Sequence, residues 1–483
     1  MRITKAIKIL SIALAALAGV VLLVFLGLVG AAKYYAAGGG RPDIEHSSVQ
    51  AASSEPHAVY LYDSGLASLH QRLQLIESAK RSIELEFFIY NLDEASRLIT
   101  HALIKKAKEG VKVRLLIDFS APVFQLRPIY ARFLKSNGIE TRYYNTAAIY
   151  RLFSVQHRSH RKLLIIDDET VLTGGRNIGD EYFDLSAEYN FLDSDVQVSG
   201  PIVAVIRSSF DLYWDSPLAE APHKVDELDS AEQARASKFF LPDDSDLRLA
   251  GQVSAASAAL IRDLPRFECR ELIFVTDFPD KGEGNRRVFT MISELLERAR
   301  GEVWVETPYF VIKEGGYALL ERARDNGARV KVLTNSLYST DAFYTVAALY
   351  PDLAWIARTG MDLYAYDGRA PQTSAAVPGR GSKRWGIHSK RAVLDGKTVL
   401  IGTYNVDPRS ANLNSELMIG CLDNPDLAQA VLASIKERVQ GSEQLMGKGQ
   451  VMNEDALLGR ASLRQKLYFL LSMPFANLFD FLL

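Results

Sequence analysis

Apolar runs alternate with amphipathic stretches through most of the chain. In its first part, residues 58–62, 83–90 and 111–118 are short apolar runs, and residues 66–80 and 94–109 have helical spacing. Runs of this length are typical of buried strands, whereas apolar residues three and four apart indicate helices. A regular alternation of the two predicts an α/β sandwich.

The same order of elements returns after residue 270. Apolar runs at residues 272–276, 303–307 and 330–334 enclose predicted helices at residues 288–300 and 316–326. One pattern of elements at two places in a chain indicates an internal duplication. We therefore predict two halves that share the same α/β fold.

The N-terminal residues form one long apolar stretch. Residues 9–32 carry no charge and have Ser11 as their one polar side chain, and this length lets a helix cross a hydrocarbon core of about 30 Å. More basic residues precede this stretch than directly follow it, so the positive-inside rule places the rest of the chain outside the cytoplasm. We predict a transmembrane anchor within residues 1–32. A cleaved signal peptide is the alternative, because residues 29–31 are small.

The other segments complete the predicted domain organisation. Residues 33–56 are rich in Gly, Ala and Ser, and we expect a flexible tether there. The two halves follow at residues 57–218 and 266–440, joined by a linker with some helix at residues 219–265. The tail, residues 441–483, ends in an apolar segment. That segment is either a helix packed on the domain or an interfacial helix among lipid headgroups.

Composition narrows the function classes. Lys plus Arg total 56 against 58 Asp plus Glu, a formal charge of -2, so the chain lacks the positive charge that binds nucleic acid. Cys269 and Cys421 are its two cysteines, which excludes a disulfide framework and a Cys-rich zinc site. We expect Cys421 to be a small, buried apolar residue.

Two copies of one spacing carry the candidate chemistry. Each copy has a histidine, a lysine two residues later and an aspartate after four more residues: His160, Lys162 and Asp167, then His388, Lys390 and Asp395. A short apolar run follows each lysine and predicts a strand. Residues two apart on a strand share a face, so the histidine and lysine of each copy can point at one anion.

A glycine turn follows each motif and leads to an asparagine, Asn177 or Asn405. We predict that a helix starts at each asparagine. Backbone N–H groups at a helix start, together with the amide side chain, suit a phosphate. Both asparagines are therefore predicted phosphate-binding residues.

These groups together match the needs of phosphoryl transfer at a diester. One neutral histidine attacks phosphorus, and the other, protonated, gives its proton to the leaving alkoxide. The lysines and asparagines hold the phosphoryl oxygens in place of a metal ion. This chemistry needs neither a metal nor an organic cofactor.

The doubled motif resembles the phospholipase D superfamily, whose two motifs meet at a pseudo-twofold axis and share one phosphodiester. The runs at residues 174–183, 307–311 and 407–410 are most similar to bacterial cardiolipin synthases. The resemblance implies that His160 is the nucleophile and His388 the acid and base. It also implies phospholipid substrates, with phosphatidylglycerol as acceptor and cardiolipin as product. The location it implies is the periplasmic side of a bacterial inner membrane.

The same resemblance places a carboxylate behind each histidine to fix its tautomer. We expect Glu416 behind His388. We expect Asp193 behind His160, with Glu188 as the alternative. The two motif aspartates complete the family's catalytic pattern, but each ends a strand, and we expect them to stabilise turns or the contact between halves.

Three alternatives remain open at this point. A phospholipase D would differ in letting water rather than a lipid alcohol reach phosphorus. A membrane-tethered nuclease of the same fold should show clustered basic and aromatic residues, and residues 380–385 are the one such cluster. A catalytically inactive lipid-binding module would not need the intact motifs. We expect no nucleic-acid partner, and the sequence gives no indication of a protein partner.

Overall fold

The computed structural model describes residues 19, 23, 25–27, 29–31, 51–53, 55–120, 123–148, 154–222, 228–279, 286–370, 377, 381–476 and 478–482. Within these residues, no helix is both long enough and apolar enough to cross a membrane. Most of the predicted anchor at residues 1–32 lies outside the described residues. The anchor therefore stays a prediction.

The described strands form two large sheets and one short ribbon. In chain order they are β1 (Ala51–Ser53), β2 (His57–Tyr62), β3 (Ser82–Phe87), β4 (Lys112–Asp118), β5 (Ile139–Tyr144), β6 (Leu163–Ile166), β7 (Thr170–Gly174), β8 (Tyr189–Leu192), β9 (Asp195–Ser199), β10 (Ala219–Glu220), β11 (Phe267–Cys269), β12 (Glu271–Thr276), β13 (Glu302–Glu306), β14 (Arg329–Asn335), β15 (Asp362–Tyr366), β16 (Arg384–Ile387), β17 (Arg391–Leu394), β18 (Thr398–Gly402), β19 (Leu417–Leu422), β20 (Ser442–Gly447) and β21 (Gln450–Val451).

Helices pack on the faces of the sheets. The described α-helices are α1 (Gly65–Ser78), α2 (Glu94–Lys108), α3 (Pro128–Ser136), α4 (Ile202–Trp214), α5 (Ser230–Phe240), α6 (Asp244–Arg262), α7 (Arg287–Arg298), α8 (Glu314–Asp325), α9 (Phe343–Leu349), α10 (Leu353–Arg358), α11 (Pro408–Asn412), α12 (Pro425–Gln440), α13 (Asp455–Leu458) and α14 (Leu463–Ala476). Short 3₁₀ turns lie at Ser154–Gln156, Asp180–Tyr182, Tyr350–Asp352 and Asp480–Leu482.

The two sheets share one strand order, which confirms the predicted duplicated α/β fold. The first runs β10-β5-β4-β3-β6-β7-β9-β2-β11 and the second β1-β12-β19-β18-β17-β13-β14-β15-β20-β21. Seven strands correspond in order, β5-β4-β3-β6-β7-β9-β2 with β15-β14-β13-β17-β18-β19-β12. At the centre of the first sheet, β3 pairs in parallel with β4 and antiparallel with β6, the strand that follows Lys162. At the centre of the second sheet, β13 pairs in the same way with β14 and with β17, the strand that follows Lys390.

One short strand at the start of each half pairs with the other half's sheet. β1 pairs with β12 of the second sheet, and β11 pairs with β2 of the first. Two predicted boundaries are therefore wrong: the tether at residues 33–56 contains a strand, and the segment from residue 266 begins in the first sheet. An edge strand pairs with whichever open edge lies nearest, and local sequence does not encode that edge.

The predicted linker and tail both belong to the folded halves. α5 and α6 lie in the region predicted as a linker, and they pack on the outer helices of the first half, where Phe240 and Val253 are buried. β20 and β21 extend the second sheet beyond residue 440. In α14 one side packs on the second half through buried Phe469, while Leu470 and Leu471 are exposed. The tail helix thus packs on the domain and also presents an apolar surface.

The inner faces of the two sheets share one apolar core. Residues of both sheets, of α4 and of α12 contribute to it. Cys269 of β11 and Cys421 of β19 form a disulfide, which joins the first sheet to the second. Cys421 is buried in the apolar core as expected, but the sequence did not indicate its disulfide. Its partner is 152 residues away in the chain, and folding alone brings the two together.

Candidate active site

Both motifs lie where the two halves meet. His160 and Lys162 directly precede β6, and His388 and Lys390 directly precede β17; all four side chains are buried. The backbone N–H of His160 donates to the Ser415 carbonyl at 2.9 Å. The backbone N–H of His388 donates to the Leu192 carbonyl of the first half at 2.8 Å. Each motif is thus positioned by a backbone contact with the opposite half.

The carboxylates serve the histidines in a crossed arrangement. Nδ1 of His160 lies 3.0 Å from Glu416 Oε2, and Nδ1 of His388 lies 2.5 Å from Asp193 Oδ2. Both predicted carboxylates are in the site, but the predicted pairing was wrong, because each serves the histidine of the other half. The alternative, Glu188, is exposed and pairs with Lys383 at 2.7 Å.

Contacts between the halves explain the crossing. Ser415, the neighbour of Glu416, forms a bridge with Ser159, the neighbour of His160. β16, which ends just before His388, pairs with β8, which ends just before Asp193. Each carboxylate therefore directly follows a residue whose backbone pairs with the residue just before the opposite histidine. These pairings join segments about two hundred residues apart, which local patterns do not report.

The crossed pairs fix the tautomers of both histidines. Burial acts to raise the pKa of Asp193, but its interaction and hydrogen bond with His388 and the positive charge of Lys390 outweigh burial and hold that pKa below its usual range. Burial likewise opposes ionisation of Glu416, yet His160 holds its pKa down. A charged carboxylate accepts from Nδ1–H, so Nε2 of each ring keeps its lone pair.

Burial also keeps both histidines neutral. It lowers the pKa of His160 to about 4 and that of His388 to about 3, with further lowering by the motif lysines. Near pH 7 both rings are therefore neutral.

The two lysines concentrate positive charge. Burial and the nearby Lys390 lower the pKa of Lys162 to about 7, and burial lowers that of Lys390 to about 8. Lys162 Nζ donates to its own motif's His160 carbonyl at 2.6 Å, and Lys390 Nζ donates likewise to the His388 carbonyl. Two desolvated ammonium groups that repel each other favour an anion between them.

The two predicted phosphate asparagines have different environments. Asn177 Oδ1 accepts from the Ile89 N–H at 3.2 Å, and its Nδ2 donates to the Tyr182 hydroxyl at 3.1 Å. Asn405 Oδ1 is buried without a hydrogen-bond partner among the described residues, which leaves this amide available to a ligand. No helix starts at either asparagine: α11 begins three residues after Asn405, and a 3₁₀ turn follows Asn177. The predicted helix starts are therefore wrong, and the phosphate-binding role of the two asparagines stays a prediction.

The motif aspartates lie outside this group. Asp167 accepts backbone N–H bonds from Lys80, Arg81 and Ser82 at 2.6 to 2.8 Å, and Asp395 accepts a 2.6 Å bond from the Gly301 N–H. Both have positive φ, 54° and 53°, in the turn after the strand. They stabilise turns within their own halves, as the sequence suggested, and do not connect the two halves.

Several contributors to the site had no predicted role. Phe88 packs edge-on against His160 with centroids 5.1 Å apart, and Tyr182 packs in the same way on His388 at 5.1 Å. Thr403 and Ser410 donate hydroxyl bonds to Glu416 at 2.5 and 2.8 Å. Thr403 and Tyr182 lie in the glycine-rich runs after the motifs. Their position in these runs was the one feature of the sequence that could have indicated a place in the site. Among the described residues, no cluster of His, Cys, Asp or Glu could hold a metal ion.

Comparisons with known proteins show which family and fold this chain is similar to. The profile of the family described as cardiolipin synthase, PLD-like domain, matches residues 73–214 and 292–439. The chain is 28% identical over 417 residues to an uncharacterised protein of Helicobacter pylori strain J99, covering 80% of each. It is 29% identical over 397 residues to cardiolipin synthase C of Escherichia coli K12, covering 76% of this chain and 82% of that protein. Phosphatidylserine synthase of Haemophilus influenzae Rd KW20 shares the fold, with TM-score 0.61 and 17% identity over 88% of this chain and 95% of the other.

Proposed function

Because the chain belongs to the family of cardiolipin synthase, phospholipase D-like domain proteins, we propose that it is a phosphatidyltransferase that forms cardiolipin. The donor is a phospholipid, and the acceptor is the terminal hydroxyl of phosphatidylglycerol. Relatives named cardiolipin synthase support the substrate class. The crossed carboxylate–histidine pairs support a chemistry with two histidines at one phosphodiester.

In the first step, Nε2 of His160 attacks phosphorus of the donor lipid. A P–N bond forms, the bond from phosphorus to the leaving alkoxide breaks, and His388 gives that alkoxide its proton. Lys162 and Lys390 stabilise the negative charge on the phosphoryl oxygens. In the second step the acceptor hydroxyl gives its proton to His388 and attacks phosphorus, and the P–N bond breaks.

The proton on His388 comes with substrate binding. Without a bound anion the ring is neutral, because burial lowers its pKa to about 3. A phosphodiester anion beside the ring adds negative charge, which raises the pKa of a neighbouring histidine. Asp193, which stays ionised at 2.5 Å from Nδ1, stabilises the resulting imidazolium.

Burial of the site favours transfer over hydrolysis. His160, Lys162, His388 and Lys390 each expose less than a tenth of their surface. A phosphohistidine at this depth is shielded from bulk water, while a lipid alcohol bound beside it is held close to phosphorus. The relatives named cardiolipin synthase are the observation on which we choose a transferase over a phospholipase D.

We place the catalytic halves on the extracytoplasmic side of a bacterial inner membrane. The charge distribution around the apolar N-terminal stretch favours that orientation. The disulfide between Cys269 and Cys421 supports it, because disulfides persist in oxidising compartments.

The test follows lipid products of the purified, detergent-solubilised full chain. The protein receives phosphatidylglycerol, with and without phosphatidylethanolamine, in buffer with a metal chelator. His160→Ala is the inactive comparison, and His70→Ala on α1 is the matched histidine control. Cardiolipin from the intact protein and from His70→Ala, but not from His160→Ala, supports the proposal. Phosphatidic acid as the product makes the protein a phospholipase D. Turnover of neither lipid rejects the phospholipid assignment and directs attention to nucleic-acid substrates.

A further inference from the structure

A cavity of about 500 Å³ lies in the second half, between the outer face of its sheet and helices α7 and α8. Its walls are mostly apolar and include Phe289, Leu296, Val305, Ala392 and Leu400. The volume falls within the range of about 300–1,000 Å³ typical of small-molecule pockets. This cavity is separate from the carboxylate–histidine pairs.

The first half is filled at the equivalent position. Val305 of β13 faces Ala392 of β17 in the second sheet, and Leu85 of β3 faces Leu164 of β6 in the first. Leu85 and Leu164 are each 1% exposed, whereas Val305 and Ala392 are partly exposed and line the cavity. In the second half, which contains the cavity, Val305 and Ala392 thus stand where the first half has the larger Leu85 and Leu164.

One end of the cavity reaches the catalytic site. Ala392 and Lys390 are two residues apart in an extended segment, so their side chains point to the same side. Lys390 itself lines the cavity. A ligand with its phosphate at the motif lysines can therefore extend an apolar group over Ala392.

The other end lies beside the apolar termini of the chain. Lys313 and Asp480 line it and form an ion pair at 3.2 Å. Phe479, next to Asp480, packs edge-on against Phe25 of the predicted anchor with centroids 6.0 Å apart. This end is therefore adjacent to the segment predicted to enter the membrane.

We propose that the cavity binds one acyl chain of the phospholipid whose phosphodiester lies between His160 and His388. The inference rests on the proposed phospholipid function and adds a hydrocarbon site to it. Its position between the motif lysine and the predicted anchor favours a long unbranched chain. Each methylene buried in an apolar site strengthens binding about fourfold.

The test fills the cavity with the side chains of the first half. The double variant Val305→Leu/Ala392→Leu reproduces Leu85 and Leu164, and Ala433→Leu, at an exposed position of α12, is the matched control. Rates are measured in mixed micelles with dipalmitoyl- and dihexanoyl-phosphatidylglycerol. We expect the ratio of kcat/KM for the long to the short substrate to fall at least tenfold in the double variant and to stay unchanged in the control. The melting temperature of the double variant should not fall, because the added carbons occupy empty space.

A binding measurement separates this inference from the proposed function. Dodecyl phosphate, below its micelle concentration, and butyl phosphate are titrated into each protein by calorimetry. Tighter binding of dodecyl phosphate that weakens at least tenfold in the double variant supports the cavity site even if phosphatidylglycerol is not turned over. Equal loss for both chain lengths, or no loss for either, overturns the acyl-chain site while leaving the proposed reaction intact.

Discussion

The two halves carry equivalent chemistry on unequally packed scaffolds. Each supplies a histidine, a lysine and a carboxylate from positions just before corresponding strands of sheets with the same order. The outer layer of the first half is closed by α5 and α6, whereas that of the second encloses a cavity of about 500 Å³. The candidate site residues of the two halves are alike, whereas the packing behind them differs. Symmetry in the chemistry therefore does not imply that both halves treat a substrate alike.

The crossing of the carboxylates adds a second lesson. His160 depends on Glu416 of the second half, and His388 depends on Asp193 of the first. Neither half contains a complete histidine–carboxylate pair. The site is thus a property of the contact between halves, and its two histidines become inequivalent through their surroundings.

The largest expected effect separates the two histidines. His160→Ala should remove turnover entirely, because it removes the nucleophile. His388→Ala should lose about 10²–10⁴-fold, the usual contribution of a general acid and base. Intact-protein mass spectrometry with a p-nitrophenyl phosphatidyl ester should show a phosphatidyl adduct in His388→Ala and none in His160→Ala. An adduct in His160→Ala and none in His388→Ala would show that His388 is the nucleophile and His160 the acid and base.

Next in size is a test of the crossed pairing. Glu416→Gln and Asp193→Asn should each reduce kcat by about 10²–10⁴-fold, as loss of an orienting carboxylate does. A p-nitrophenyl leaving group needs no acid, so it should restore formation of the adduct in Asp193→Asn but not in Glu416→Gln. Glu188→Gln, at an exposed glutamate, is the control. Rescue of Glu416→Gln instead would show that each carboxylate serves its own half.

A smaller effect concerns the pH dependence of the two lysines. The pKa of Lys162 is lowered to about 7 and that of Lys390 to about 8. A lysine loses its charge as the pH rises through its pKa, so kcat/KM for the anionic lipid should decline above about pH 7. Lys162→Arg, which stays charged, should move this decline toward pH 8, while Lys390→Arg should leave it near pH 7. The same alkaline limb in all three proteins would exclude the lysines as its cause.

Removal of the disulfide between the two sheets should have the smallest effect on catalysis. Cys269→Ser with Cys421→Ser should lower the free energy of unfolding by about 2–4 kcal/mol, because the disulfide restricts the unfolded chain. The geometry of the site should survive, so kcat at 25 °C should change less than twofold. Denaturant titration and lipid assays measure the two quantities, and a reductant should have no further effect on the variant. A large loss of kcat would mean that the disulfide positions Glu416, which precedes β19.

Hydrophobic patterning predicted the repeated elements well. The helix predicted at residues 94–109 is Glu94–Lys108, and the strand predicted at residues 330–334 is Arg329–Asn335. The helices α5 and α6 were placed in a linker because their sequence is charged and rich in alanine. In the folded chain, the narrow apolar faces of α5 and α6 are buried because they pack against α1 and α2.

The sequence by itself determined the duplicated fold and the residues that form the site. A strand or helix period and a motif spacing are local, so they can be read from neighbouring positions. Tertiary structure decided that Glu416 serves His160, that Asp193 serves His388, that β1 and β11 exchange sheets, and that the space over Ala392 stays open. These features depend on contacts between residues far apart in the chain. An apolar pattern shows that a face is buried, but the partner that covers the face is set when the halves pack together.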